Sequence, residues 1–124
     1  MAKLFIVDDE ADVREFAANF FRKRKIEVTT AASGEEALGL LGQQKPDLVL
    51  LDIKMDGMDG IEALRRIKAL DNNIKVIMVT GRKPEDNDSF SKCQQLGALD
   101  YIHKPLELDE LERIVLNALV PAKR

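Results

Sequence analysis

Pro46-Asp47-Leu48-Val49-Leu50-Leu51-Asp52 is the stretch on which the fold turns. Four consecutive apolar residues follow a proline and stop at an acid. Strict alternation would mark a strand with one wet face, whereas an unbroken run of this length marks a strand covered on both faces. Such strands belong to parallel sheets with helices packed on either side, so Leu48–Leu51 is read as a central strand and Asp52 as the residue at its carboxyl end.

Working toward the N-terminus, the same grammar recurs. Ser33-Gly34-Glu35-Glu36 has the form of a capping box and opens a short helix through Ala37, Leu38 and Leu41 that ends near Gly42. Glu27 to Ala31 is a second strand. From Asp12 to Lys25 the residues Val13, Phe16, Ala17, Phe20 and Phe21 fall on one helical face, and Leu4-Phe5-Ile6-Val7 is a first strand stopping at Asp8-Asp9. Toward the C-terminus, Asp56 to Gly60 is loop chemistry, and Ile61, Ala63, Leu64 and Ile67 mark a helix ending at Asp71-Asn72-Asn73. Val76 to Val79 is a strand that ends at Thr80. Gly81 to Ser89, with Pro84 and no apolar period, reads as a loop before a short helix to about Leu96, with Gly97 as its C-cap. Leu99 to Ile102 is the last strand, before His103-Lys104-Pro105, and Leu108, Leu111, Ile114, Val115 and Ala118 define a final helix. Strands alternating with amphipathic helices give an α/β fold with a doubly wound, five-stranded parallel sheet and five helices.

Composition sets the limits. A chain of 124 residues, 45% hydrophobic, supports one core, so 1–124 is read as a single domain with its core at about 3–119 and 120–124 as a tail or the start of a linker. With 22 acidic against 19 basic residues the net charge is -3, which gives no positive field for nucleic acid and predicts no direct binding to it. No apolar run approaches the roughly 20 residues that span a bilayer, and the expectation is a cytoplasmic protein without membrane association. The lone Cys93 has no internal partner and is read as a small packed residue. His103 is read as facing solvent or packing beside the strand rather than binding metal, and Arg22-Lys23-Arg24-Lys25 as the wet end of the first helix.

In an open parallel sheet, ligands bind at the carboxyl ends of the strands. There the sequence places Asp8 and Asp9, then Asp52, Thr80 and Lys104. Two like charges about 4 Å apart repel by roughly 4 kcal/mol at the effective dielectric of a protein surface. Three carboxylates together therefore destabilise the fold unless a cation or Lys104 neutralises them, and a bound cation is the economical explanation. All-oxygen ligands with room for water select a hard ion, and Mg²⁺ fits better than Ca²⁺ or zinc. Beside such an ion a carboxylate can attack phosphorus, while Lys104 and Thr80 hold the phosphoryl oxygens.

Val7-Asp8-Asp9-Glu10, the block Pro46 to Asp52 with Met55 and Gly60 following, Thr80, and Gly97-Ala98-Leu99-Asp100-Tyr101 running into Lys104-Pro105 together resemble the receiver domains of two-component response regulators, the chemotaxis-regulator-like family. The resemblance runs from Leu4 to about Leu119. It implies a flavodoxin-like sheet of order 2-1-3-4-5, which the family itself exemplifies. It implies Asp52 as phosphoacceptor, Mg²⁺ held by Asp8, Asp9, Asp52 and the backbone carbonyl of Lys54, Thr80 as switch hydroxyl, Tyr101 as switch aromatic, Lys104 as the phosphate-pairing amine, and a cis bond before Pro105. The implied partners are a sensor histidine kinase or histidine phosphotransfer protein upstream and an effector protein or domain downstream, with the chain a monomer or a phosphorylation-linked dimer.

Three positions depart from the family pattern. Asp56 stands where proline is usual, Gly81 where alanine is usual, and the segment from Thr80 to Gly97 is about two residues longer than the common pattern, which implies a looser surround to the site. One alternative is a Mg²⁺-dependent phosphatase with an aspartyl nucleophile, but the general acid expected two residues after the nucleophile is here Lys54. The other is a receiver-like interaction module that never takes phosphate. The expectation is a regulatory phosphoacceptor rather than an enzyme.

Overall fold

The computed structural model describes residues 2–55, 57–81 and 87–119. Asp56, most of the segment after Gly81, and the tail Val120–Arg124 lie outside them. Elements alternate along the chain as β1 (Lys3–Val7), α1 (Ala11–Arg22), β2 (Glu27–Ala31), α2 (Gly34–Leu41), β3 (Leu48–Asp52), α3 (Gly60–Leu70), β4 (Lys75–Thr80), α4 (Asn87–Gln95), β5 (Asp100–His103) and α5 (Leu108–Leu119). All pairings are parallel and the sheet order is β2-β1-β3-β4-β5. β3 lies at the centre and every one of its residues is buried, as its unbroken apolar run requires.

Because successive side chains alternate across a strand, the sheet feeds two cores. On one side Leu4, Ile6, Leu48, Leu50, Ile77 and Val79 pack with Phe21 of α1 and Leu111 and Val115 of α5. On the other, Phe5, Val7, Val49, Leu51 and Met78 pack with Ala63, Leu64 and Ile67 of α3 and with Cys93. A fully buried Leu or Phe contributes about 1.5–3 kcal/mol relative to exposure. These two layers therefore hold the strand ends in place.

Local signals act largely as their chemistry dictates. Ser33 Oγ accepts from the Glu36 amide at 3.0 Å, while the Glu36 carboxylate accepts from the Ala32 amide rather than from that of Ser33. Gly97 takes φ +100 at the end of α4, a conformation that favours glycine. The Lys104–Pro105 peptide is cis. At the end of α1, Arg24 pairs with Glu112 of α5 at 2.9 Å and lies 3.7 Å over the Phe20 ring, so part of the basic run ties two helices together.

Three expectations are corrected. Phe16 is half exposed, and the buried stripe of α1 runs through Ala17, Ala18 and Phe21. A bulky aromatic drew the predicted face about one position away from the small alanines that let the helix approach the sheet. Asn87 to Ser89 belong to α4, not to a loop; Asn, Asp and Ser are frequent in both turns and helix starts, so polarity does not separate the two. β5 begins at Asp100 rather than Leu99, because its ladder with β4 starts at the pairing of Ile77 with Asp100.

Candidate functional site

The carboxyl ends of β1 and β3, with the turns after β4 and β5, surround a cleft of about 400 Å³ lined by Asp9, Glu10, Asp52, Lys54, Met55, Gly81 and Lys104. Asp52, the last residue of β3, is only 3% exposed, and Asp8, directly after β1, only 4%. Carboxylate oxygens of Asp8, Asp9 and Asp52 lie within 4.8 Å of one another. The three acids that stand 44 residues or less apart in sequence thus converge because β1 and β3 are neighbours in register, with Val7 opposite Leu51.

Asp8 is fixed on several sides. Its amide donates to Ala31 O at 3.1 Å, its Oδ1 accepts from the Glu10 amide at 2.9 Å, and its carbonyl accepts from Arg14 at 2.7 Å. Lys104 supplies the countercharge. Its Nζ lies 3.0 Å from Glu10 Oε1, 3.2 Å from Asp8 Oδ2 and 3.6 Å from Asp52 Oδ2. Burial works to lower the affinity of this ammonium for its proton, but Glu10, Asp52 and Asp8 outweigh it and hold Lys104 above the usual lysine range.

One ammonium does not neutralise three acids. Burial first, and the neighbouring Asp8 charge second, push the Asp52 carboxyl up to about 6 from an ordinary 3.8, against the opposing pull of Lys104 and a hydrogen bond from the Lys54 backbone. This excess negative charge is the condition under which a divalent cation binds. The donor set is oxygen alone, and it stands at the mouth of an open cleft with space for water, which fits Mg²⁺.

Thr80 is fully buried at the end of β4, the strand next to β3, and its carbonyl accepts from the Lys104 amide at 2.7 Å. Tyr101 is half buried on β5 opposite Met78, with its ring 5.4 Å from that of His103. It packs against the core shared with α3 and Cys93, away from the lining of the acidic cleft. His103 is exposed. Cys93 is buried, and burial, with Asp59 adding to it, pushes its thiol up to about 11.

Gly60 was legible as a loop residue, but not for what it does here. A Cβ at this position would overlap the Asp52 carbonyl and lie 2.6 Å from Ile53 Cα. Its amide donates to Ile53 O at 2.7 Å, so the start of α3 is pressed directly onto the residues that carry the central acid. Glu10 likewise stands in the motif Val7-Asp8-Asp9-Glu10 with nothing in the sequence to show its role; its pairing with Lys104 joins residues 94 positions apart, and no local spacing signals it.

A doubly wound parallel sheet carrying three carboxylates, a buried threonine and a lysine at the carboxyl ends of its strands defines a class of α/β protein built around an anion-and-cation site. The family model for the response regulator receiver domain matches residues 4–116, and the chain belongs to that family. Receiver domains are regulatory; they interact with histidine kinases or phosphotransfer proteins and with effector domains, and they bind Mg²⁺ at an acidic cluster. The chain is 41% identical over 117 residues to sporulation initiation phosphotransferase F of Bacillus subtilis, covering 94% of this chain and 93% of that protein. It is 38% identical to the regulatory protein AtoC of Escherichia coli, of which it spans only 25%. The receiver domain of NtrX from Brucella abortus superposes with a TM-score of 0.87 at 31% identity, over 96% of this chain and 99% of that one. No helix among the described residues is long and apolar enough to cross a membrane.

Proposed function

We propose that the chain is a phosphorylation-controlled switch in which Asp52 takes a phosphoryl group from a phosphohistidine of a sensor kinase or phosphotransfer protein. The observation that carries this reading is the convergence of Asp8, Asp9 and Asp52 within 4.8 Å, with Lys104 reaching into the same group. Asp8, Asp9, Asp52 and the Lys54 carbonyl would hold Mg²⁺. Bound there, the ion would offset charge on the transferring phosphoryl group.

In the transfer, an Asp52 carboxylate oxygen forms a bond to phosphorus as the P–N bond to the imidazole breaks, and the departing nitrogen regains a proton from solvent. The product is an aspartyl phosphate on Asp52. Lys104 turns its ammonium from the carboxylates to the phosphoryl oxygens, and Thr80, one strand away, offers its hydroxyl to another of them. The modification brings roughly two negative charges to the strand edge. Tyr101, packed on β5 near α4, is the aromatic that answers the displacement of Thr80 and presents a changed face to an effector. We place the whole of 1–124 in one receiver domain and assign it to the cytoplasm, where phosphohistidine donors act.

The test is incubation with acetyl phosphate and Mg²⁺, followed by intact-protein mass measurement. The expected result is a gain of one phosphoryl mass that is absent in Asp52→Asn and in EDTA. Wild-type protein that gains no mass with any small phosphodonor refutes the reading, and sustained turnover of nitrophenyl phosphate would replace it with a phosphatase.

A further inference from the structure

Glu10 occupies the N-cap position of α1, where a side chain ordinarily accepts from the first free helical amides. It makes no such bond. Its backbone amide is committed to Asp8 Oδ1 at 2.9 Å, which fixes the residue on the rim of the cleft, and its carboxylate crosses to Lys104 at 3.0 Å. Among the three acids around that ammonium, Glu10 is the nearest. It is also the one that stands outside the group able to hold a cation together. We propose that Glu10 is a positioning residue for Lys104: it shares the ammonium with Asp8 and Asp52 and holds it toward the rim, so that a divalent ion displaces it from those carboxylates more easily, and it competes for the same ammonium with an anion arriving on Asp52. The inference rests on the reading of Asp52 as phosphoryl acceptor.

The physical logic is that of one cation shared by unequal partners. A divalent ion among Asp8, Asp9 and Asp52 repels Lys104 and takes over the charge that attracted it, so without Glu10 the ammonium would either contest the ion's place or leave the cleft. Glu10 keeps it at the rim. The Glu10 side chain is 62% exposed while that of Lys104 is 18% exposed, so water solvates the carboxylate readily once the ammonium moves to a phosphoryl oxygen. That makes the exchange reversible. Arg14 does not substitute for Lys104, since its guanidinium is held by the Asp8 carbonyl, and Lys54, though on the cleft wall, makes no ion pair with these acids among the described residues.

The test uses calorimetric titration of the full chain with Mg²⁺ alone, then with beryllofluoride at saturating Mg²⁺, beryllofluoride being a stable mimic of a phosphoryl group on a carboxylate. Wild type, Glu10→Gln, Lys104→Met and the double variant form a cycle. In Glu10→Gln, beryllofluoride should bind about two- to five-fold more tightly, the range an ion pair with one exposed member supports, whereas Mg²⁺ should bind about two-fold more weakly. Opposite signs are the signature, because loss of a merely structural contact weakens both. The beryllofluoride gain should vanish in the Lys104→Met background. Unchanged beryllofluoride affinity, changes of the same sign, or a gain that persists without Lys104 each overturn the proposal. Wild type that takes no beryllofluoride at all removes the reading of Asp52 and this inference with it, whereas wild type that binds and Glu10→Gln that binds equally removes the inference alone.

Discussion

Replacing Asp52 by asparagine should make the metal-free protein more stable, and the gain should depend on pH. In the fold, burial and the Asp8 charge raise the Asp52 carboxyl from 3.8 to about 6. A group whose native pKa lies above its unfolded value binds its proton more tightly when folded, so its contribution to stability is present below about pH 4 and is lost as pH rises through 6. At about 1.4 kcal/mol for each tenfold difference in proton affinity, the cost of keeping Asp52 ionised in the native state is about 3 kcal/mol at neutral pH. Asparagine keeps the shape and removes the charge. Urea or thermal unfolding in EDTA should therefore show Asp52→Asn more stable than wild type by up to about 3 kcal/mol at pH 7.5, equivalent to roughly 10 °C in Tm for a domain of this size. By pH 4 the two curves should meet. Added Mg²⁺ should raise the wild type and leave the variant much less affected. A variant that is less stable than wild type at pH 7.5, or a difference that stays constant from pH 7.5 to pH 4, refutes the argument that uncompensated charge strains this site.

Other outcomes follow from single residues. Gly60→Ala should cost about 3 kcal/mol in urea unfolding, the upper end of what overpacking costs, since the added methyl meets backbone of Asp52 and Ile53 rather than a movable side chain; an alanine variant of near-normal stability would show that α3 can lift from the strand. Lys25 sits at φ 65 beyond the end of α1, with the Ile26 amide bonded back to Phe21 O at 3.3 Å, so Lys25→Gly should stabilise by about 0.5–1 kcal/mol, read as a rise in Tm. Cys93, buried and with its thiol pushed up to about 11, should react with an aromatic disulfide reagent at pH 8 far more slowly in the native protein than in urea. Comparable rates in the two states would place the thiol at the surface.

The fold is legible because β1, β3 and β4 are buried on both sides and so carry continuous apolar runs, bounded by turn residues and too short for a helix, whereas β2 and β5 are only partly buried. The sheet order came from the likeness of the whole motif set, since periodicity says which segments are strands and nothing about which are neighbours. The three acids were legible for a related reason: a charge that stops an apolar run has to be explained. What was not legible were features made by approach. Ala18 is as buried as any residue in α1 while Phe16 is half exposed, and which stripe faces the sheet is decided by how closely the helix can lie, not by side-chain size. Gly60 has an ordinary backbone angle, so its necessity arises only from what lies opposite. The tie between Glu10 and Lys104 exists because β1 and β5 both open onto the same end of the sheet.

The short hydrogen bond from the Lys104 amide to the Thr80 carbonyl has a mechanical corollary. It is the closing rung of the β4–β5 ladder, made at the last pair, Thr80 and His103, so the hydroxyl-bearing and the ammonium-bearing positions are yoked through their main chains. A tug on either transmits to its mate without any side-chain relay. The outer margin of the sheet is thereby built as one panel rather than as two independent levers.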